Sequence, residues 1–340
     1  MPNNHRVTLR DVAEHSGVSY QTVSRVINHH PYVAEETLRR VLDSIAALDY
    51  RPNKAARSLA AHRSNTIALV ATDLQDYGPA QVVINIERAA KAAGYDLALT
   101  IAPDTSSASM RAAIAHVLHW RVDGILILKP ITGVSYDEMV QIIGGIPLVQ
   151  LNSQLEQVVP SIMIDQEQGV RLLVKHLHDL GHRRFCAIQG PSNSYDAIAR
   201  QVTWDASLRE MGMPASLSCE GDWSAASGYR ATLAILDQTH DFTALFAAND
   251  QMALGALRAL REHRVRVPED VSVVGFDDVP ESAYYEPPLT TIHQDFGLLG
   301  EMSIQYLVER ITDPEIPIER RMITPYLVER QSTAPLRKAT

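Results

Sequence analysis

Tyr20, Gln21, Thr22, Ser24, Arg25 and Asn28 fall on one side of a single short stretch, SYQTVSRVIN, and carry donors and acceptors for which nucleic acid offers partners. Glutamine and arginine bond base edges in pairs across the major groove, whereas serine, threonine and asparagine suit phosphate oxygens. A second set of polar residues follows short apolar runs further along: Thr72 with Asp73, Asn152, Asp165, Asn249 with Asp250, Asp277 with Asp278, and Gln294. Carboxylates, amides and guanidinium groups meet sugar hydroxyls in directed pairs, while an aromatic face covers the sugar's apolar side. The same residue types also cap helices, and Asp250 is read as such a cap.

The first set needs two short helices to hold it. Thr8 caps the first, with Asp11 three residues on, and Val12 and Ala13 face inward. Gly17 makes the turn, because glycine takes positive φ at no steric cost. Ser19 caps the second helix, whose Val23, Val26 and Ile27 recur at helical spacing and point inward. A third helix over 35–47, with Leu38, Val41, Leu42, Ile45 and Leu48 as its apolar stripe, closes a small all-α headpiece. Two capped helices alone also suit a plain hairpin with a polar face; a helix-turn-helix with a recognition helix is the sharper reading. Tyr50-Arg51-Pro52 ends the third helix. The Ala-rich segment 53–61 that follows is shorter than the ~12 residues that an isolated helix needs, so it reads as a linker or as a helix formed only with support.

The second set needs a sheet. Apolar runs at 67–71, 95–101, 124–128, 146–151, 162–164, 184–188, 244–247 and 271–275 alternate with amphipathic stretches at 79–93, 107–119, 135–143, 169–180, 200–211, 225–236 and 251–263. Strand and helix in alternation give a parallel doubly wound sheet, and two such series give two α/β subdomains with a cleft between them. Near the end, 289–294 and 321–328 read as extended and 296–311 as a helix, which sends the chain back across both lobes. Ligands of open parallel sheets bind beyond the carboxyl ends of the strands, where the second polar set lies.

The composition narrows the classes. With 340 residues, 46% of them hydrophobic, the chain has material for two or three compact units. The net charge of −9 is uneven: residues 1–63 hold nine Lys+Arg against six Asp+Glu, and the remainder holds 22 against 34. The basic balance thus sits with the headpiece, as phosphate affinity requires. No apolar run approaches the ~18 residues of a spanning helix, and PNNHR is no signal peptide, so a cytoplasmic protein without a membrane partner is expected. Cys186 and Cys219 form no disulfide framework and no metal-ligand spacing. His178 and His182, in HDLGH, lack the glutamate of a zinc protease and read as surface histidines. There is no P-loop, no GxSxG elbow and no GxGxxG after a strand, so neither an enzyme nor a cofactor or metal is expected.

The whole string VTLRDVAEHSGVSYQTVSRVIN (7–28) resembles the headpiece of the LacI/GalR family of bacterial repressors, its lactose-operon branch above all. EGDWSAASG (220–228), ANDQMALGA (248–256), DVSVVGFDD (270–278) and EPPLTTIHQDFGLLG (286–300) resemble the same branch's effector lobe. The resemblance implies an α/β core of two doubly wound parallel-sheet subdomains, like the periplasmic binding proteins, preceded by a small all-α helix-turn-helix headpiece. Its implied boundaries are a headpiece over 1–51, a hinge helix over 52–63, a core over 64–334 and a short tail over 335–340. Within the core, the N-subdomain takes 64–164 plus 295–323 and the C-subdomain takes 165–294 plus 324–334.

It further implies that Tyr20, Gln21 and Arg25 read bases in a lac-type half-site. Thr8, Leu9, Ser19, Thr22, Ser24, Asn28, Tyr32, Asn53 and Ala56 complete the DNA-contacting set, and Leu59 of the hinge enters the minor groove. For the effector it implies Arg200 and Asp277 on hydroxyls, Trp223 and Phe296 on apolar faces, Asn249 and Gln294 finishing the network, and Leu299 as apolar wall; Thr72 and Asp73 are added from their strand-end position. Two positions depart from that branch, Asn152 standing for an aspartate and Asp196 for a serine.

A leucine-heptad tail is absent, so a homodimer is expected. The expected function is a sequence-specific repressor of a sugar-utilisation operon, nucleoid-associated on a pseudo-palindromic operator and released by a galactoside or related glycoside. A family member that needs a purine or other small metabolite as co-repressor is the alternative, as is a sugar-binding protein without regulatory switching.

Overall fold

The computed structural model describes residues 7–27, 32–50, 63–129, 134–151 and 159–336. Asn28, Asn53, Ala56, Leu59 and Asn152 lie outside the described residues. The chain divides into two compact units, Met1–Ser64 and Asn65–Thr340.

In the first unit, α1 (Leu9–Ser16), α2 (Tyr20–Ile27) and α3 (Glu35–Ala47) surround a core of Val12, Ala13, Val23, Val26, Val41 and Tyr50. A capping box starts α1: the Thr8 backbone N–H donates to Asp11 Oδ2 at 2.7 Å, and Thr8 Oγ1 accepts from the Asp11 N–H. Gly17 ends it at φ 66°. Ser19 Oγ accepts from the Thr22 N–H at 3.2 Å and starts α2. The stripe expected on α3 is narrower than its spacing suggests, since Leu38 and Leu42 are exposed. Tyr50, beyond the helix end, fills the space instead.

The second unit begins with β1 (Thr66–Ala71), α4 (Tyr77–Ala92), β2 (Asp96–Ile101), α5 (Ser107–Leu118), β3 (Gly124–Ile127), α6 (Tyr136–Ile142), β4 (Leu148–Gln150) and β5 (Ser161–Ile164). It continues with α7 (Gln166–Asp179), β6 (Phe185–Gln189), α8 (Tyr195–Glu210), β7 (Leu217–Glu220), α9 (Ala225–Gln238), β8 (Ala244–Ala247), α10 (Asp250–Glu262) and β9 (Ser272–Val274), and ends with β10 (Thr291–His293), α11 (Phe296–Thr312), β11 (Arg320–Ile323) and β12 (Tyr326–Val328).

One sheet is parallel throughout, in the order β11-β5-β4-β3-β1-β2; the other, also parallel, runs β7-β6-β8-β9. Strand β1 is buried on both faces. Ile67 and Leu69 join Ile86, Tyr306 and Leu307 beneath α4 and α11, while Ala68 and Val70 join Met110, Ile114 and Met139 beneath α5 and α6. This two-sided burial is why the strands read as continuous apolar runs. In the other lobe Trp204 stacks on Phe246 at 4.7 Å and meets Phe185 edge-on.

The chain passes between lobes three times, after β5, after β10 and after β11. The extended stretch expected over 321–328 is therefore two strands in two sheets: β11 extends the six-stranded sheet and β12 pairs antiparallel with β10. Strand β7, with the pattern LSCE, was not expected; it is an edge strand only partly buried and lacks an apolar run. His182 is no surface histidine. It is buried, with Nδ1 against Thr243 Oγ1 at 3.0 Å and Nε2 against the Ala334 carbonyl at 3.1 Å, and burial lowers its pKa. Burial also pushes the Cys186 thiol up to about 12, which keeps it protonated and inert. No helix among the described residues is long and apolar enough to cross a membrane.

Candidate functional site

Both sheets reverse direction of winding at their first strand, between β1 and β3 in one and between β6 and β8 in the other. A crevice opens at such a point because the connections leave to opposite faces. Polar groups converge there, in a cleft of about 840 Å³ including its open mouth.

Arg200, from the first turns of α8, is at its centre and is 4% exposed. Its Nε donates to Gln166 Oε1 at 2.8 Å, one Nη donates to the Ala248 carbonyl at the end of β8, and the other lies 3.5 Å from Asp277 Oδ1. Gln294 Nε2 donates to the same Asp277 oxygen at 2.6 Å, and Gln166 Nε2 donates to Gln294 Oε1 at 2.9 Å. Gln166 and Gln294 stand at two of the three crossings, so this network ties the hinge between the lobes to the ligand wall. The guanidinium lies 3.8 Å from the centroid of Phe276.

Trp223 and Phe296 supply the aromatic faces. Gly190 lets the indole in: a Cβ there would sit 2.3 Å from it. Trp223 at φ 71° and Asp277 at φ 117° hold backbone conformations that side chains disfavour, a strain that packing must maintain. Asn249, expected to touch the ligand, lines the cleft and also caps α10 by accepting from the Met252 N–H at 2.9 Å. The cap is therefore Asn249 and not Asp250. Asp250 is fully buried and takes bonds from the Val279 N–H and the Thr291 hydroxyl, while burial and then Asp277 raise its pKa well above the usual carboxylate range. Asp278, beside the cleft, is held by His293 at 2.8 Å and Arg330 at 2.6 Å. Asp165 caps α7.

Of the expected effector residues, Asp196, Arg200, Trp223, Asn249, Asp277, Gln294, Phe296 and Leu299 line this one cleft. Thr72 and Asp73 do not: Thr72 is buried and Asp73 turns back to accept from the Gln75 N–H at 2.9 Å. Asp76, Tyr77, Lys129, Gln166 and Ser194 line it unannounced. Gln166 and Lys129 follow strand ends and obey the rule that exposed the others; Asp76 and Ser194 stand at helix N-cap positions, where neither side chain makes the capping bond.

Desolvation raises the Asp277 pKa to about 6, against the opposing pull of Arg200 and the Gln294 hydrogen bond. A carboxyl whose folded pKa exceeds its unfolded value favours folding when protonated. Its contribution is complete below the unfolded pKa near 3.8 and is lost as pH rises towards 6. A ligand that donates a hydrogen bond to Asp277 has the opposite sign, because it donates best to the ionised form. Titration calorimetry should therefore show effector affinity falling as pH drops below 6, and Asp277→Asn, though weaker overall, should show a flatter profile. An equal slope in both proteins would remove Asp277 as the cause.

On the headpiece, Gln21 and Arg25 are exposed on one side of α2, with Tyr20 at its start and Thr22 and Ser24 partly buried beside them. The side chains of Gln21 and Arg25 make no hydrogen bond or ion pair among the described residues. Tyr32 and Thr8 are exposed, whereas Leu9 packs partly against the core.

Residues 8–53 match the family of bacterial regulatory proteins of the lacI type, and residues 174–333 match the periplasmic binding protein-like domain. The chain is 37% identical to the lactose operon repressor of Escherichia coli strain K12 over 327 residues, 96% of this chain and 91% of that one. It is 34% identical to the HTH-type transcriptional repressor PurR of Klebsiella pneumoniae, over 96% of this chain and 97% of that one. The crystal structure of the lac repressor dimer bound to operator and the anti-inducer ONPF superposes with a TM-score of 0.89 at 36% identity, covering 96% of this chain and 99% of that one. A helix-turn-helix reader joined to a two-lobed effector core, with relatives matched along nearly its whole length, makes this chain a member of the LacI family: a DNA-binding transcriptional repressor and not an enzyme.

Proposed function

We propose that the chain is a homodimeric repressor of a sugar-utilisation operon that leaves a lac-like pseudo-palindromic operator when a sugar, a galactoside or related glycoside, enters the core cleft. The observation that carries this reading is the network of Arg200, Gln166, Gln294 and Asp277 facing Trp223 and Phe296. It offers directed donors and acceptors beside aromatic faces, the chemistry that sugar hydroxyls and C–H surfaces require. Dimerisation on operator is described for the lac repressor, and likeness to it supports the same assembly here.

On this reading residues 1–51 read the operator, 52–63 form the hinge and 64–334 form the core. Because Gln166 and Gln294 stand at the crossings, a ligand that bonds them biases one lobe arrangement over another, and operator affinity falls by the ligand's preference between the two. The segment 52–63, which lies outside the described residues, would pass that bias to the headpiece.

A mobility-shift titration of a lac-type operator, repeated with galactosides, glucosides and purines, tests the reading. Release by a glycoside supports it; tighter binding with a purine would replace it with co-repressor control. Leu59→Ala should weaken operator binding far more than binding to random DNA, roughly tenfold or more against little change. Equal losses would remove the hinge from the mechanism.

A further inference from the structure

The two walls of the cleft differ in how their polar groups are engaged. The wall built from the second lobe and the crossings is bonded within itself, as described above. The opposite wall, from the start of α4 and the end of β3, presents Asp76, Tyr77 and Lys129. Asp76 occupies the N-cap position of α4, yet its side chain accepts no capping bond. Lys129 is near enough to favour the ionised Asp76, but no ion pair within 4.0 Å joins them, and among the described residues neither head group has a hydrogen-bond partner. Both are partly buried. Desolvation, with Asp73 next, raises the Asp76 pKa.

A strong acceptor and a strong donor thus face the ligand across a gap longer than an ion pair. An alkyl or aryl group packed there would strip water from both charges and return nothing, which is costly. Hydroxyls satisfy both, donating to the carboxylate and accepting from the ammonium.

Building on the sugar reading of the cleft, we propose that Asp76 and Lys129 form a second hydroxyl-reading subsite, so that the effector is a disaccharide and not a glycoside with an apolar aglycone. The first sugar occupies the Arg200–Asp277 side; the second lies against α4 and the end of β3.

Isothermal titration of the full-length protein at pH 7 with lactose, cellobiose, isopropyl β-galactoside and isopropyl β-glucoside tests this. The disaccharide should bind about tenfold tighter than the isopropyl glycoside of the same first sugar, the scale of one or two charge-assisted bonds. Asp76→Ala and Lys129→Met should each bring that ratio towards one, and Asp76→Asn, which keeps an acceptor, should preserve part of it. Unchanged melting temperatures and unchanged operator binding show that the variants fold. An isopropyl glycoside that outbinds its disaccharide, or variants that weaken both ligands equally, would overturn the subsite while leaving a sugar site intact. Failure of all four ligands to bind the wild-type protein would overturn the sugar reading itself and the subsite with it.

Discussion

Arg200→Ala should give a repressor that still occupies its operator and is no longer released. The side chain is buried and holds Gln166, the Ala248 carbonyl and Asp277 at once. Truncating one partner of a buried, hydrogen-bonded charge typically costs about 2–5 kcal/mol, so affinity for the effector should fall at least ~30-fold. Part of that loss comes from Asp277: without the guanidinium only the Gln294 hydrogen bond opposes its desolvation, and its pKa rises further, towards the neutral acid. Arg200→Lys should rescue little, because one ammonium cannot reach partners that the planar fork bonds in different directions. Calorimetry with mobility shift reads both outcomes. Wild-type release by the alanine variant would refute the central role given to this residue.

Arg25→Ala should do the reverse, losing operator recognition while the effector site is undisturbed. The side chain is exposed on α2 and supports nothing in the headpiece core, so folding should be unaffected. A bidentate contact to a base edge is worth about 1–3 kcal/mol of discrimination, which predicts a fall of ~5- to 150-fold for the specific site. Binding to random DNA should change only by the loss of one positive charge, seen as a slightly smaller salt slope. The two sites belong to separate compact units, so effector affinity should be that of the wild type. If it disappears as well, the division into reader and sensor fails.

The reader was legible because its chemistry is local. Thr8, Asp11, Gly17 and Ser19 act on neighbours within three residues, and the period of Val23 and Val26 fixes which side of α2 faces out, so Gln21 and Arg25 follow from spacing alone. The parallel strands were legible for a related reason: strands buried on both faces must be apolar throughout, as in β1 and β3. Edge strand β7 is not buried in that way and left no such mark.

What the chain order could not reveal is which polar strand ends meet. Gln166 and Gln294 are 128 residues apart and bond only because two crossings run side by side, and Arg200 reaches Gln166 across a helix start from another part of the second lobe. Asn249 and Asp250 are adjacent and alike on paper; the fold turns one into the cleft and seals the other beneath Val279 and Thr291. Asp76 stands at the N-cap position of α4, and only the fold places it on the cleft wall with Lys129. Sequence by itself determined the elements, since propensity, capping and burial period act over a few residues. Tertiary structure decided the site, because desolvation and bond partners are set by groups that the chain brings together from far apart.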